Sequence, residues 1–311
     1  MIETWRWFGP TDKVTLSDIR QTGASGIVTS LYHLEPGLVW KKEEISSRLT
    51  EIAGSKSHPT NLSWQVVESL PVSEYIKTGS HPRDEHIKAW IESMENLSEL
   101  GIKVICYNFM PILDWTRTEL AAPMSSGATA MYFDLLDFIA FDCFILERIN
   151  AQSDYEKQLV DVAKKRFEGF SKEKKSTLSK NITAGLPGAG EKLTFQEVKR
   201  RLESYSGIDA DRLRENFKYF LDAVVPTAEK LGVRLCCHPD DPPWPLLGLP
   251  RIMSTEEDYN WLVNVHPSKA NGITLCTGSL GTSFENDLPG MVSRLGKHIH
   301  FLHLRNVTRE K

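Results

Sequence analysis

No stretch of this sequence stays free of charge long enough to cross a bilayer. The most apolar run, MYFDLLDFIAFDCFIL over 131–146, carries Asp134, Asp137 and Asp142, whereas a lipid-facing helix needs about 20 apolar residues. It reads instead as a helix packed against protein, and no membrane partner is expected. The start, MIETWRWFGP, has an early Glu3 and no basic stretch leading into an apolar one, so no secretory leader is expected and the expected compartment is cytoplasmic. Excess positive charge is missing too: the formal net charge is −4, which argues against a nucleic-acid partner. Cysteine is sparse and odd in number, five in 311 residues, with Cys236 and Cys237 adjacent. That is a poor basis for a disulfide framework, and free thiols or a metal ligand fit better. A lysine is lacking where a phosphate loop would need one: Gly185 and Gly190 have the spacing, but Glu191 follows. The segment therefore reads as a mobile loop rather than a nucleotide site.

What is present is a repeated β-then-α plan. Seven short runs rich in Val, Ile, Thr and aromatics recur: ETWRWF, GIVTSLY, SWQVVES, KVICYNF, GVRLCCH, GITLCTG and HIHFLHLR. Most follow an amphipathic segment ending in glycine or a polar turn, as at Gly101 and Gly232. Such alternation predicts α/β with a parallel sheet, and at this length a (β/α)₈ TIM barrel over residues 1–311 as a single domain. Seven runs are one short of eight, so an eighth βα unit is expected but not written: either the sequence is incomplete or something else covers the gap. More than 120 residues separate the fourth and fifth runs, far beyond a usual connection. The reading is a long helical insertion over 110–192 after the fourth strand, serving as a lid or a subunit contact. A homo-oligomer is compatible with that insertion, with the apolar run at 131–146 as a contact.

In a barrel of this kind the active site lies at the C-terminal ends of the strands. His238 ends GVRLCCH, Cys276 ends GITLC and His303 ends HIHFLH, 38 and 27 residues apart, which is the repeat of one βα unit. Consecutive strands would bring all three to one rim. Imidazole and thiolate together favour a borderline divalent metal such as Mn, Fe, Co or Zn over Mg or Ca; polar residues satisfied at three strand ends are the alternative. Cys236 shares the parity of His238 and is expected inside the barrel as packing. In HPDDPP, Asp240 and Asp241 are candidates to orient His238 or to contact a polyol. Arg117 and Arg305 are candidates to grip a carboxylate, Asn108 lies at the end of the fourth strand, and Glu68 at the end of SWQVVES is a rim candidate for substrate hydroxyls or a structural hydrogen bond.

Taken in order, TWRWFGPTDKVTL, GIVTSLYHLEPGLVW, CYNFMPILDWTRT, ITAGLPGAGE, HPDDPPWPLLGLPRIMST, LCTGSLG and FLHLR resemble the D-mannonate dehydratases of hexuronate breakdown, along essentially the whole chain. The resemblance implies a barrel of the xylose-isomerase-like type, a Mn²⁺ or Fe²⁺ centre, and loss of water from the sugar acid D-mannonate to give 2-keto-3-deoxy-D-gluconate. It places the metal ligands on His238, Cys276 and His303; for that reaction, Arg305 or Arg117 is expected to receive the substrate carboxylate and Asn108 to help bind the hydroxyls. The family's fourth ligand, an aspartate in an Arg-Pro-Asp-His-Gly segment, and its acid/base residues are expected beyond Lys311, so no catalytic residue is named here. Two rival readings are a metal-dependent sugar isomerase or epimerase on the same barrel, and a shortened, inactive homologue that still binds sugar acid.

Overall fold

The computed structural model describes residues 1–184 and 193–309. The Gly185–Gly190 spacing lies outside them. The described residues divide into two compact units. The first comprises 1–109, 210–243 and 252 onward, and the second 110–209 and 244–251. The insertion expected over 110–192 falls within the second.

The first unit is a seven-stranded sheet, paired in chain order and parallel throughout. Its strands are β1 (Thr4–Arg6), β2 (Gly26–Thr29), β3 (Ser63–Glu68), β4 (Val104–Tyr107), β5 (Arg234–Cys237), β6 (Asn271–Cys276) and β7 (Ile299–His303). Every one of the seven runs picked out by composition forms one of these strands. Between them run α1 (Leu16–Gln21), α2 (Lys42–Ala53), α3 (Arg83–Glu99), α4 (Ala210–Leu231), α5 (Glu256–Val265) and α6 (Leu288–Leu295).

The helices form where the apolar spacing demands it. In α3, Ile87, Trp90, Met94 and Leu97 are buried, a repeat of three and four residues that lines one face. In α4, Phe217, Phe220, Leu221 and Val224 do the same. Phe217 stacks on Phe109 at a centroid distance of 4.3 Å, and Trp90 meets Phe220 edge to face at 5.1 Å. Both helices stop at a glycine with positive φ, Gly101 at 88° and Gly232 at 64°, the left-handed step that turns the chain into the next strand. Thr255 and Asp258 close a capping box at the start of α5.

The sheet is strongly curled. Val28, Val66, Cys106 and Cys236, from β2 to β5, form one buried cluster against which Phe301 of β7 also packs. Strands lie about 4.8 Å apart, so β2 and β7 would be separated by about 24 Å in a flat sheet. Only a sheet rolled towards a barrel lets their side chains share a cluster. Cys236 is fully buried in this interior, on the face its parity predicts.

The second unit contains a hairpin, Glu119–Pro123 with Thr129–Tyr132, and the helices Leu135–Ala140, Lys157–Glu168, Lys172–Thr183 and Phe195–Ser204. The apolar run 131–146, expected as one helix, is split. Met131 and Tyr132 belong to the hairpin, Asp134 caps the helix by accepting from the Asp137 amide at 3.0 Å, and Phe141–Ile145 widens into a π-turn. Asp142 is fully buried and bonded by Arg148 and Tyr155, each at 2.7 Å. Ile139 and Ala140 pack on Val160 and Ala163 within this unit, so much of the run's apolar surface is consumed there. Its aspartates are a cap and paired anions rather than exposed charges. The polar stretch from residue 171 is helical over Lys172–Thr183, with Ser171 capping it.

Candidate metal centre

β5, β6 and β7 are neighbours, and each delivers one donor at its C-terminal end. His238 follows directly on β5, Cys276 closes β6 and His303 closes β7, with Cys276 and His303 opposite each other in the register. The curl brings one ligand atom from each of the three within 4.8 Å of the others. Cys276 is fully buried, and the two imidazoles are half-buried.

Each ring is oriented from behind. His238 Nδ1 lies 2.7 Å from the Pro239 carbonyl, an acceptor only, so Nδ1 carries the hydrogen and Nε2 faces the site. His303 Nε2 lies 3.0 Å from Glu68 Oε2, and its Nδ1 is 3.2 Å from His238 Nε2. Glu68 in turn takes Arg6 of β1 at 2.5 Å. In a flat sheet β3 and β7 would stand about 19 Å apart, so the Glu68 contact to His303 exists because the sheet is rolled.

The electrostatics prepare anionic ligands. Burial alone would push the Cys276 thiol up, but hydrogen bonds from His238 and His303 hold it well below the usual thiol range. Burial would likewise raise the Glu68 carboxyl, yet Arg6 and His303 hold it well below the ordinary carboxylate range. Burial would lower His303, but Glu68 and Cys276 outweigh it and the ring is pushed up to about 10. Once a cation displaces the protons on their facing atoms, two imidazole nitrogens and a thiolate, gathered at one rim, form a donor set suited to a borderline divalent metal.

A second layer fixes the sulfur. The Ser279 amide and hydroxyl lie 3.5 and 3.4 Å from Cys276 Sγ. The same hydroxyl is 2.8 Å from Asp241 Oδ2, and Arg305 donates to that oxygen at 2.9 Å. Thr277 Oγ1 accepts from the Arg305 amide at 2.9 Å. Asp241 therefore anchors Arg305 and Ser279, while Asp240 accepts from the Met253 amide at 2.7 Å and the Ser254 hydroxyl at 3.0 Å. HPDDPP thus places a ring and two buried carboxylates close together in sequence, each carboxylate tying down a different segment.

Of the residues singled out as substrate contacts, Arg305 joins this network with its side chain 40% exposed. Asn108 is half-buried just after β4. Arg117 belongs to the second unit, where its guanidinium covers the Trp115 ring at 4.3 Å and donates to the Thr116 carbonyl at 2.8 Å. Composition did not reveal Arg6. The available signal was parity: in ETWRWF an arginine alternates with bulky aromatics in a strand, and its face turns out to be the inner one. All five cysteines are free.

A family model described as D-mannonate dehydratase (UxuA) matches residues 1–311. Mannonate dehydratase 1 of Agrobacterium fabrum is 51% identical over 310 residues, covering all of this chain and 76% of that protein. Mannonate dehydratase of Rhizobium meliloti is 48% identical over 311 residues, again covering 76% of its length. Among solved structures, mannonate dehydratase from Streptococcus suis serotype 2 superposes with a TM-score of 0.75 at 32% identity, covering the whole chain and 74% of that structure. These matches run from end to end of the chain and span about three quarters of each relative's length. By the family match, by identity at this level and by a shared fold, the chain belongs to the D-mannonate dehydratase family.

Proposed function

We propose that this chain is a hydro-lyase that removes water from D-mannonate to give 2-keto-3-deoxy-D-gluconate in hexuronate breakdown, using Mn²⁺ or Fe²⁺. The observation that carries the reading is the convergence of His238, Cys276 and His303 within 4.8 Å in a chain matched throughout by the family. Two imidazole nitrogens and a depressed thiol fit such an ion: the sulfur is held as a thiolate, and the raised His303 ring gives up its proton as the ion binds. When bound, the ion supplies Lewis acidity at the substrate's oxygens.

The remaining work falls to the protein's own residues. Loss of the C2 proton of an aldonate builds charge on its carboxylate, and a fixed cation stabilises that charge as it develops. Arg305 suits this role, since Asp241 and Thr277 hold it in place and its planar guanidinium can meet a carboxylate through two hydrogen bonds. Asn108 contributes donors and acceptors for substrate hydroxyls. Glu68 and Pro239 keep the two imidazoles from rotating. Arg117 is a further carboxylate contact in this reading, and the chain acts as one barrel domain carrying residues 110–192 as an insertion.

Incubating the purified chain with D-mannonate and Mn²⁺ tests the proposal. Formation of a 2-keto-3-deoxy acid supports it. An isomeric sugar acid that keeps the water would mean an isomerase or epimerase, and no product under any divalent metal would sink the enzymatic reading. A cytoplasmic location and self-association are part of the same proposal, and sedimentation of the purified chain checks the second. No helix among the described residues is long and apolar enough to cross a membrane.

A further inference from the structure

The two imidazoles face each other through opposite ring atoms. His238 presents Nε2 because its Nδ1–H donates to the Pro239 carbonyl at 2.7 Å. His303 presents Nδ1, and what stands behind its Nε2 is Glu68, 3.0 Å away and 235 residues distant in sequence. One carboxylate oxygen, Oε2, receives both the imidazole N–H and the Arg6 guanidinium, the latter at 2.5 Å. The carboxylate is buried, with its side chain 7% exposed, and only its ionised form is a pure acceptor.

An ion pair between Arg6 and Glu68 alone would be closed upon itself. The third member makes the difference: the arginine offsets the carboxylate's charge, so what reaches His303 is direction. Once an incoming cation has displaced one proton from the ring, a hydrogen held on Nε2 leaves the lone pair on Nδ1, the atom turned towards His238 Nε2. Were that hydrogen free to move to Nδ1, it would occupy the place where a cation has to sit. A buried acceptor behind an imidazole is a general means of setting which nitrogen can bind a metal.

We propose that Glu68, held by Arg6, is a positioning residue that fixes the ring and tautomer of His303, so that its Nδ1 binds a divalent cation beside His238 Nε2 and Cys276 Sγ. This rests on the reading of that cluster as a metal centre. The two histidines then differ in kind, one positioned by a backbone carbonyl and the other by a carboxylate from a strand four places away in the sheet.

Co²⁺ titration followed by thiolate-to-cobalt absorption is the test. The double variant Glu68→Leu/Arg6→Met removes both charges, so that neither is left buried alone. It is expected to bind Co²⁺ about 10- to 100-fold more weakly than the parent chain, with an unchanged metal-free melting curve. Glu68→Gln keeps an acceptor in the same place and is expected to recover much of that loss. Equal affinity and spectrum in the double variant and the parent would overturn the proposal, and so would a Glu68→Gln protein no tighter than the double variant.

A measurement on the unmodified chain guards against misfolded variants. Nitrogen-15 NMR of the Zn²⁺-loaded protein is expected to show one metal-bound ring through Nδ1 and one through Nε2. Two rings bound through Nε2 would refute the assignment. Cys276→Ser separates the two levels of inference. If it retains full Co²⁺ affinity, the metal centre itself is misread and the proposal goes with it; if it loses Co²⁺ while the double variant does not, only the role of Glu68 falls.

Discussion

A Cβ placed on Gly278 would fall 1.7 Å from Nε of Arg305. The glycine and the arginine therefore occupy one space, and the guanidinium reaches Asp241 because residue 278 has no side chain. Gly278→Ala must displace Arg305. If Arg305 receives the substrate carboxylate, the variant should raise KM about tenfold, the equivalent of about 1.4 kcal/mol of binding, with its metal content unchanged. Steady-state kinetics alongside elemental analysis checks this, and an unaltered KM would remove Arg305 from the substrate site.

Cys276→Ser replaces a soft thiolate with a hydroxyl that stays protonated. The variant should lose most of its bound metal and its turnover while keeping the parent's circular dichroism. Thermal denaturation gives the complement. Mn²⁺ at about 100 times its dissociation constant should stabilise the parent by about 2.7 kcal/mol, and a chelator should cancel the gain. Cys276→Ser should show neither response.

Phe217 is fully buried, stacked on Phe109 and 6.1 Å from the Tyr107 ring. Phe217→Ala opens a cavity between α4 and the sheet and should cost about 3–5 kcal/mol, read as a lower urea midpoint at similar slope. A loss below about 1 kcal/mol would mean that the neighbouring rings collapse into the space.

At the start of α5, Thr255 Oγ1 accepts from the Asp258 amide at 3.2 Å while Asp258 Oδ2 takes the Thr255 amide at 3.0 Å. Asp258 also receives Arg214 of α4 at 2.8 Å. Thr255→Ala should cost about 1 kcal/mol, measurable by chemical denaturation. Activity at saturating substrate should be unaffected, since α5 packs behind the sheet. A loss of several kcal/mol would show that the Arg214 contact depends on the cap.

Much of this architecture follows from local pattern. The seven strands, the glycine stops at Gly101 and Gly232, and the inward parity of Cys236 reflect constraints that act within a few residues: backbone sterics, side-chain alternation and the burial of apolar atoms. The spacing of His238, Cys276 and His303 is also local in this sense, because each ends its own strand and parallel neighbours align their ends. The run at 131–146 shows where such reading fails. Its apolar content is plain, but whether Asp134 caps a helix and Asp142 is buried depends on Arg148 and Tyr155, which composition cannot place.

Sequence by itself determined the order of elements, the face each presents, and the residue types gathered at the strand ends. Only the tertiary structure decided that Arg6, Glu68 and His303, on the first, third and seventh strands, meet. The physical reason is the curl of the sheet. Side chains from β2 to β5 and from β7 must share one interior, and the roll that buries them closes a gap of about 19 Å to a hydrogen bond of 3.0 Å. No periodicity along the chain encodes that distance; packing across it does.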